Sequence, residues 1–295
     1  MRRFPFDPRI LDRVPLFSGR VGADLQLEPL GSVTNQTYRV TIDQLSYAVR
    51  IAGPTTRYLD RDIETHNASI AAALGLTPPI LYLDDDLMVT SFVDGARPLA
   101  PADYDQPDRL AQVAELLSRL QSSSRPFKGE RHPFGETDRY LGEHRHARAA
   151  ALREAARPVE AALARSAGGL VPAHVDASAA NFLLGGDGRL WLVDWEFSSM
   201  ADPAWDPASV FMHRSTDCDE PARRFVSLIF GDDSERNMAR VGLFKTALTL
   251  VAGSWCAMEA AARRDHALMR AAESYLDRCE VFLADPRLQR WLQIV

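Results

Sequence analysis

Between Val171 and Phe197 the chain reads VPAHVDASAANFLLGGDGRLWLVDWEF, its densest cluster of polar residues inside an otherwise apolar region. His174, Asp176 and Asn181 fall in a short loop between apolar flanks, and Asp194 and Glu196 close the strand-like run LWLVDWE. Between them, Asn181–Leu184 and Leu190–Trp195 read as a hairpin turning at Gly185–Gly188, which brings the two ends of the cluster together. Asp176, Asn181 and Asp194 can then converge on one point, and any fold for this chain must hold them there. Carboxylates and an amide oxygen are hard ligands that suit Mg²⁺. A carboxylate left free of the metal can orient and deprotonate a hydroxyl.

The rest of the chain divides by pattern. Asp24–Leu30, Gln36–Ile42 and Leu45–Ile51 are strand-like, and Arg57–Leu74 carries helical spacing that ends at Gly75. Ile80–Leu83 and Leu87–Val93 form a hairpin around Asp84–Asp86, after which Asp94–Gly95 breaks the pattern. Helical composition dominates beyond: Pro107–Ser122, Glu136–Arg165 with an interruption at Pro158, and Pro203 to the end. The expected architecture is α+β. A small β-rich N-terminal lobe over residues 1–95 joins a larger, mostly helical lobe over residues 96–295, with the joint near Ser91–Pro98. His144 and His146 fall inside the second helical stretch, where an HxH pair points to different faces and reads as solvated rather than chelating.

Composition narrows the function. With 295 residues, 46% hydrophobic and 25% charged, the chain has ordinary globular balance. A net charge of −6 supplies no global attraction to nucleic acid or to an anionic membrane, and neither is expected as a partner. The apolar stretch Thr246–Met258 is too short to cross a hydrocarbon core, and the N-terminus lacks the apolar segment of a secretory signal. Cys218, Cys256 and Cys279 are scattered and read as reduced thiols, so a cytoplasmic location is expected. Only Lys128 and Lys245 are lysines among 34 basic residues.

The segment HVDASAAN fits the HxDxxxxN catalytic loop of protein kinases and small-molecule phosphotransferases. Asp194 resembles the metal-binding aspartate downstream of that loop, but Asp194–Trp195–Glu196 departs from the DFG triplet of protein kinases. With SSMADPAWDPASVF, LGSVTNQTYRV and YAVRIAGP, the chain resembles the choline/ethanolamine kinase-like branch of the aminoglycoside phosphotransferase superfamily over most of its length. The resemblance implies a bilobal protein-kinase-like fold, ATP and Mg²⁺ as cofactors, and a small-molecule acceptor, with a homodimer left open. Asp176 would take or orient the acceptor's hydroxyl proton. Asn181 and Asp194 would hold Mg²⁺, with Glu196 joining through water or a second metal. His174 reads as a brace for the loop.

No GxxxxGK[ST] loop occurs, and Gly31–Asn35 resembles the short phosphate loop of the choline-kinase-like branch. Where protein kinases carry a strand lysine this chain has Tyr47–Ala48–Val49–Arg50, so Arg50 is expected to grip phosphate, with Glu64 as its helical partner. Phe92, with Val93, either lines an adenine slot or packs in the core. Trp205, Trp255 and Asp206 are candidates for an aromatic and acidic site around an amine, against plain core packing for the tryptophans. Choline or ethanolamine is the leading acceptor. The alternatives are an antibiotic such as an aminoglycoside or macrolide, another metabolite, or a nucleotide-binding protein without catalysis.

Overall fold

The computed structural model describes residues 8–18, 20, 25–30, 35–53, 59–166, 168–212, 214 and 219–295. Gly31 and Cys218 lie outside the described residues, as does Arg57 at the expected start of the first helix. Five antiparallel strands, β1 (Gln26–Leu30), β2 (Gln36–Ile42), β3 (Leu45–Ile51), β4 (Ile80–Leu83) and β5 (Leu87–Ser91), form one sheet in the order β1-β2-β3-β5-β4. Alternation decides its faces: Val40 and Ile42, Tyr47 and Val49, and Leu87 and Val89 all point to one side. Leu11, Val14 and Phe17, from two short 3₁₀ turns that precede β1, cover that side and complete a separate small core.

Helix α1 (Arg61–Ala73) begins at Asp60, whose carboxylate accepts from the N–H groups of Asp62 and Ile63. That cap sets its start later than the sequence pattern indicated. Although α1 falls between strands of the small sheet, its buried face (Ala68, Ile70, Ala71) belongs to the large helical core. Asn67 pins it there, donating to the carbonyl of Ser198 at 2.9 Å and accepting from Lys128 N–H at 2.8 Å. The chain then crosses through Phe92–Gly95 to β6 (Arg97–Pro98) and α2 (Pro107–Gln121).

The sequence pattern predicts helix over Glu136–Arg165 with one interruption, at Pro158. Three helices form instead: α3 (Pro133–Glu143), α4 (Ala147–Ala155) and α5 (Arg157–Arg165). His144 and His146 are extended and lie in the break between α3 and α4, not on a helix face; His146 caps α4 by accepting from Ala149 N–H. Pro158 opens α5 rather than interrupting a helix, because its missing N–H costs nothing in a first turn.

After β7 (Val171–Ala173), the catalytic-loop segment enters the expected hairpin as β8 (Phe182–Leu184) and β9 (Leu190–Leu192). The second strand ends before Asp194, not at Trp195. Asp194 takes a left-handed backbone, φ 68°, and Trp195–Phe197 is a 3₁₀ turn, so Asp194 and Glu196 project from a bend. Strand β10 (Ser199–Ala201) returns to pair with β7. Helices α6 (Trp205–Phe211), α7 (Glu220–Phe230), α8 (Glu235–Arg263), α9 (His266–Leu283) and α10 (Leu288–Ile294) complete the body. The apolar run of α8 extends well beyond Thr246–Met258 and is long enough to cross a membrane, yet 83% of its apolar window is buried inside the protein. Apolar on all sides, α8 is the central core helix.

Candidate active site

Val175 sits between His174 and Asp176 with φ 73°, a conformation that costs a β-branched residue of order 1–3 kcal/mol. Its neighbours hold it there. The N–H groups of His174 and Val175 donate to the two carboxylate oxygens of Asp206, each at 2.8 Å, and Trp205 Nε1 donates to the Val175 carbonyl at 2.7 Å. Asp206 is fully buried, and burial pushes its carboxyl up to about 6 against the two N–H groups that favour its charge. Asp206 was read as a contact for an amine; geometry makes it the anchor of the loop, with neither oxygen turned to a ligand. Trp205 touches the pocket beside it but is 2% exposed, and its indole N–H is committed to the same anchor.

His174 is also fully buried, and burial pushes its ring down to about 4. It is neutral, and Nε2 donates to the Val193 carbonyl at 2.9 Å while the ring meets Trp195 edge-on. Val193 N–H in turn donates to the Asn181 carbonyl. These bonds tie the loop carrying Asp176 to the bend carrying Asp194. His174 is a brace.

Asn181, at the end of a 3₁₀ turn, uses its amide nitrogen on Asp176, donating at 2.8 Å to both the carbonyl and carboxylate oxygen Oδ2. This orients Asp176, and the Oδ1 of Asn181 would be the atom to face a metal. Burial raises the Asp194 carboxyl well above its usual range, and nearby Glu196, Asp176 and Glu64 add to that rise against the opposing pull of Arg50. Carboxylate and amide oxygens are donors of the kind that fits Mg²⁺, but among the described residues no group of three or more Asp, Glu, His or Cys side chains forms a ready-made metal cluster. Asp194 and Asn181 would be the residues to hold the ion. Glu196 is more engaged, accepting from Asn35 Nδ2 at 2.6 Å and lying 3.6 Å from Arg50.

Arg50 is placed as its strand position suggested. It pairs with Glu64 and reaches Asp194 at 3.4 Å. Burial works against its charge, but Glu64, Asp194 and Glu196 together outweigh burial, so the guanidinium stays charged. Phe92 is placed differently from the other nucleotide candidates: its ring lies beneath the Arg39 guanidinium at 4.5 Å, at the crossing between sheet and helices. It is not among the residues lining the pocket described next.

Asp176, Asn181, Asp194 and Glu196 line a pocket of about 710 Å³. Trp255 and Tyr275 stand on its wall, with Leu248, Val251 and Leu268 completing an apolar region drawn from α8 and α9. Tyr140, Arg131 and Glu136 escaped the sequence reading, because only helix packing brings them in. Arg61 escaped it too, although its i,i+3 spacing to Glu64 was visible.

A model of the phosphotransferase enzyme family matches residues 26–244. The crystal structure of a choline/ethanolamine kinase family protein from Mesorhizobium loti superposes with a TM-score of 0.83 at 26% identity, covering 97% of each chain. Choline kinase LicA from Streptococcus pneumoniae gives a TM-score of 0.79 at 24% identity, covering 94% of this chain and 98% of that one. Protein LicA of Haemophilus influenzae is 26% identical over 195 residues, 61% of this chain, and the match spans 56% of that relative's length. The fold is thus the kinase-like α+β fold, with its small sheet and larger helical body.

Proposed function

Because the chain belongs to the phosphotransferase enzyme family, we propose that it is an ATP-dependent kinase for a hydroxyl on a small amine-bearing molecule, with choline or ethanolamine first. The observation that carries this reading is one pocket lined by Asp176, which Asn181 orients, by Asp194, and by the aromatic side chains of Trp255 and Tyr275. The likeness to choline/ethanolamine kinase structures supports the same acceptor class.

In this reading Arg50 binds the phosphates of ATP, and Asn181 and Asp194 hold Mg²⁺, which when bound neutralises phosphate charge. Asp176 orients the acceptor hydroxyl and accepts its proton as the oxygen attacks the γ-phosphorus. The new O–P bond forms as the bond to the β-phosphate oxygen breaks and ADP departs. Phosphoryl transfer depends mainly on such positioning and charge neutralisation. The acceptor region extends over residues 96–295 and the phosphate grip over residues 1–95. We place the reaction in the cytoplasm.

A polycationic antibiotic is the weaker fit. Glu136, which lines the pocket, is already paired with Arg131 and Arg139. Aromatic faces then carry the attraction for a quaternary ammonium. The test is ADP release with Mg·ATP against choline, ethanolamine, thiamine, an aminoglycoside and a macrolide, with Asp176→Asn as blank. Turnover on choline or ethanolamine, absent from the blank, is expected; turnover on the aminoglycoside alone would replace the acceptor assignment.

A further inference from the structure

Arg61 stands where a helix least favours it. It occupies the first position of α1, where a cation opposes the helix dipole, yet its side chain is only 15% exposed. Its guanidinium makes two specific contacts: one nitrogen pairs with Glu64 Oε2 and the other donates to Asn35 Oδ1 at 3.2 Å. Glu64 offers its second oxygen, Oε1, to Arg50. Asn35 offers its amide nitrogen to Glu196, and Glu196 faces Arg50. The five side chains form a closed ring, Arg50–Glu64–Arg61–Asn35–Glu196, drawn from β3, α1, the residue before β2 and the bend after Asp194.

We propose that Arg61 is a positioning residue for the nucleotide. It rests on the reading of this pocket as a Mg·ATP site. Arg61 acts in two places. A guanidinium has donors only, so Arg61 fixes the carbonyl side of the Asn35 amide and turns the NH₂ toward Glu196. By sharing Glu64 it relieves Arg50 of a carboxylate it would otherwise have to neutralise alone, leaving that guanidinium's charge for phosphate. The conflict with local helix preference is the mark of a residue kept for its contacts rather than for the helix.

The test is calorimetric binding of a non-hydrolysable Mg·ATP analogue to the full chain, with thermal midpoints recorded alongside. Arg61→Met is expected to weaken binding about tenfold, the loss of charge-assisted hydrogen bonds. Arg61→Lys should recover only part, since an ammonium cannot span Glu64 and Asn35 as a planar fork does. Asn35→Ala should weaken binding as well, and the Arg61→Met/Asn35→Ala pair should fall short of additivity. The acceptor KM in ADP-release assays should stay at the wild-type value. Unchanged analogue affinity in a folded Arg61→Met, or a fully additive pair, would overturn the inference, because a merely structural role lowers the midpoint and leaves affinity alone. Should Arg61→Met not fold, Arg61→Lys decides by the same criterion. A wild-type chain that fails to bind the analogue would instead overturn the ATP reading, and this inference with it.

Discussion

Gly253 on α8 is where the acceptor wall can be moved by one methyl group. A Cβ placed there would lie 2.7 Å from Leu276 Cδ2 and 3.0 Å from its Cγ, where ordinary contact begins at 3.4 Å. Leu276 is fully buried on α9 and has no solvent to swing into. Gly253→Ala must therefore push α9 away from α8, an overpacking that costs about 1–3 kcal/mol. Alanine returns about 1 kcal/mol of helix preference, so net destabilisation of roughly 0–2 kcal/mol remains, and the midpoint should fall by about 2–4 °C for each kcal/mol. Function should change more selectively than stability. Trp255 follows Gly253 on α8 and Tyr275 precedes Leu276 on α9, so the displacement opens the aromatic wall and leaves Arg50, Asn181 and Asp194 in place. The assay is steady-state ADP release with each substrate varied, beside a thermal melt. A several-fold rise in acceptor KM with an unchanged ATP KM is expected. A higher midpoint with an unchanged acceptor KM would show that the two helices do not meet as closely as described, and the reasoning would fail.

Other substitutions test the remaining parts. Asp176→Asn should lower turnover by about 10²–10⁴-fold while Mg·ATP still binds; retained turnover would remove Asp176 from proton transfer. Asp194→Ala should weaken nucleotide binding only in the presence of Mg²⁺, and normal metal dependence in titrations would refute its role as ligand. Trp255→Ala should cost choline about 0.5–2 kcal/mol relative to a neutral alcohol of the same shape; equal losses in kcat/KM would make Trp255 a core residue. Asp206 gives a pH prediction. Burial pushes its folded carboxyl up to about 6 from an ordinary value of 3.8, so the native state holds that proton more tightly than the unfolded chain does. The stabilising contribution is complete below about pH 4 and lost as pH rises through about 6, amounting to roughly 3 kcal/mol. Asp206→Asn should flatten that part of the stability curve in denaturant titrations, and an unchanged slope would count against the assignment.

What could be read from the chain follows sequence distance. Asp176 and Asn181 are five residues apart and bond directly, and Arg50 and Glu64 are fourteen residues apart and pair directly. Their types and spacing carried their chemistry. Asp206 misled because a buried carboxylate and a ligand-facing one look alike in sequence; what separates them is a pair of backbone donors thirty-two and thirty-one residues away. The helical stretch expected over Glu136–Arg165, interrupted only at Pro158, failed for a local reason. Composition stays helix-favouring through His144–His146, but the backbone there is extended, and Pro158 fits a first turn as readily as a break. Tyr140 had no local signal at all, since α3 and α8 must pack before it joins the wall.

The guanidinium pair at the phosphate end has a consequence for detection. Reagents that find nucleotide-binding proteins by acylating a lysine amine beside the bound phosphates need such an amine, and Arg50 and Arg61 offer none. Of the two lysines, Lys128 pairs with Asp62 on the outside of α1, and Lys245 is buried in α8 with its ammonium over Phe282. If the proposed ATP site is right, a proteome survey built on amine-reactive nucleotides would find no lysine beside its phosphates to label.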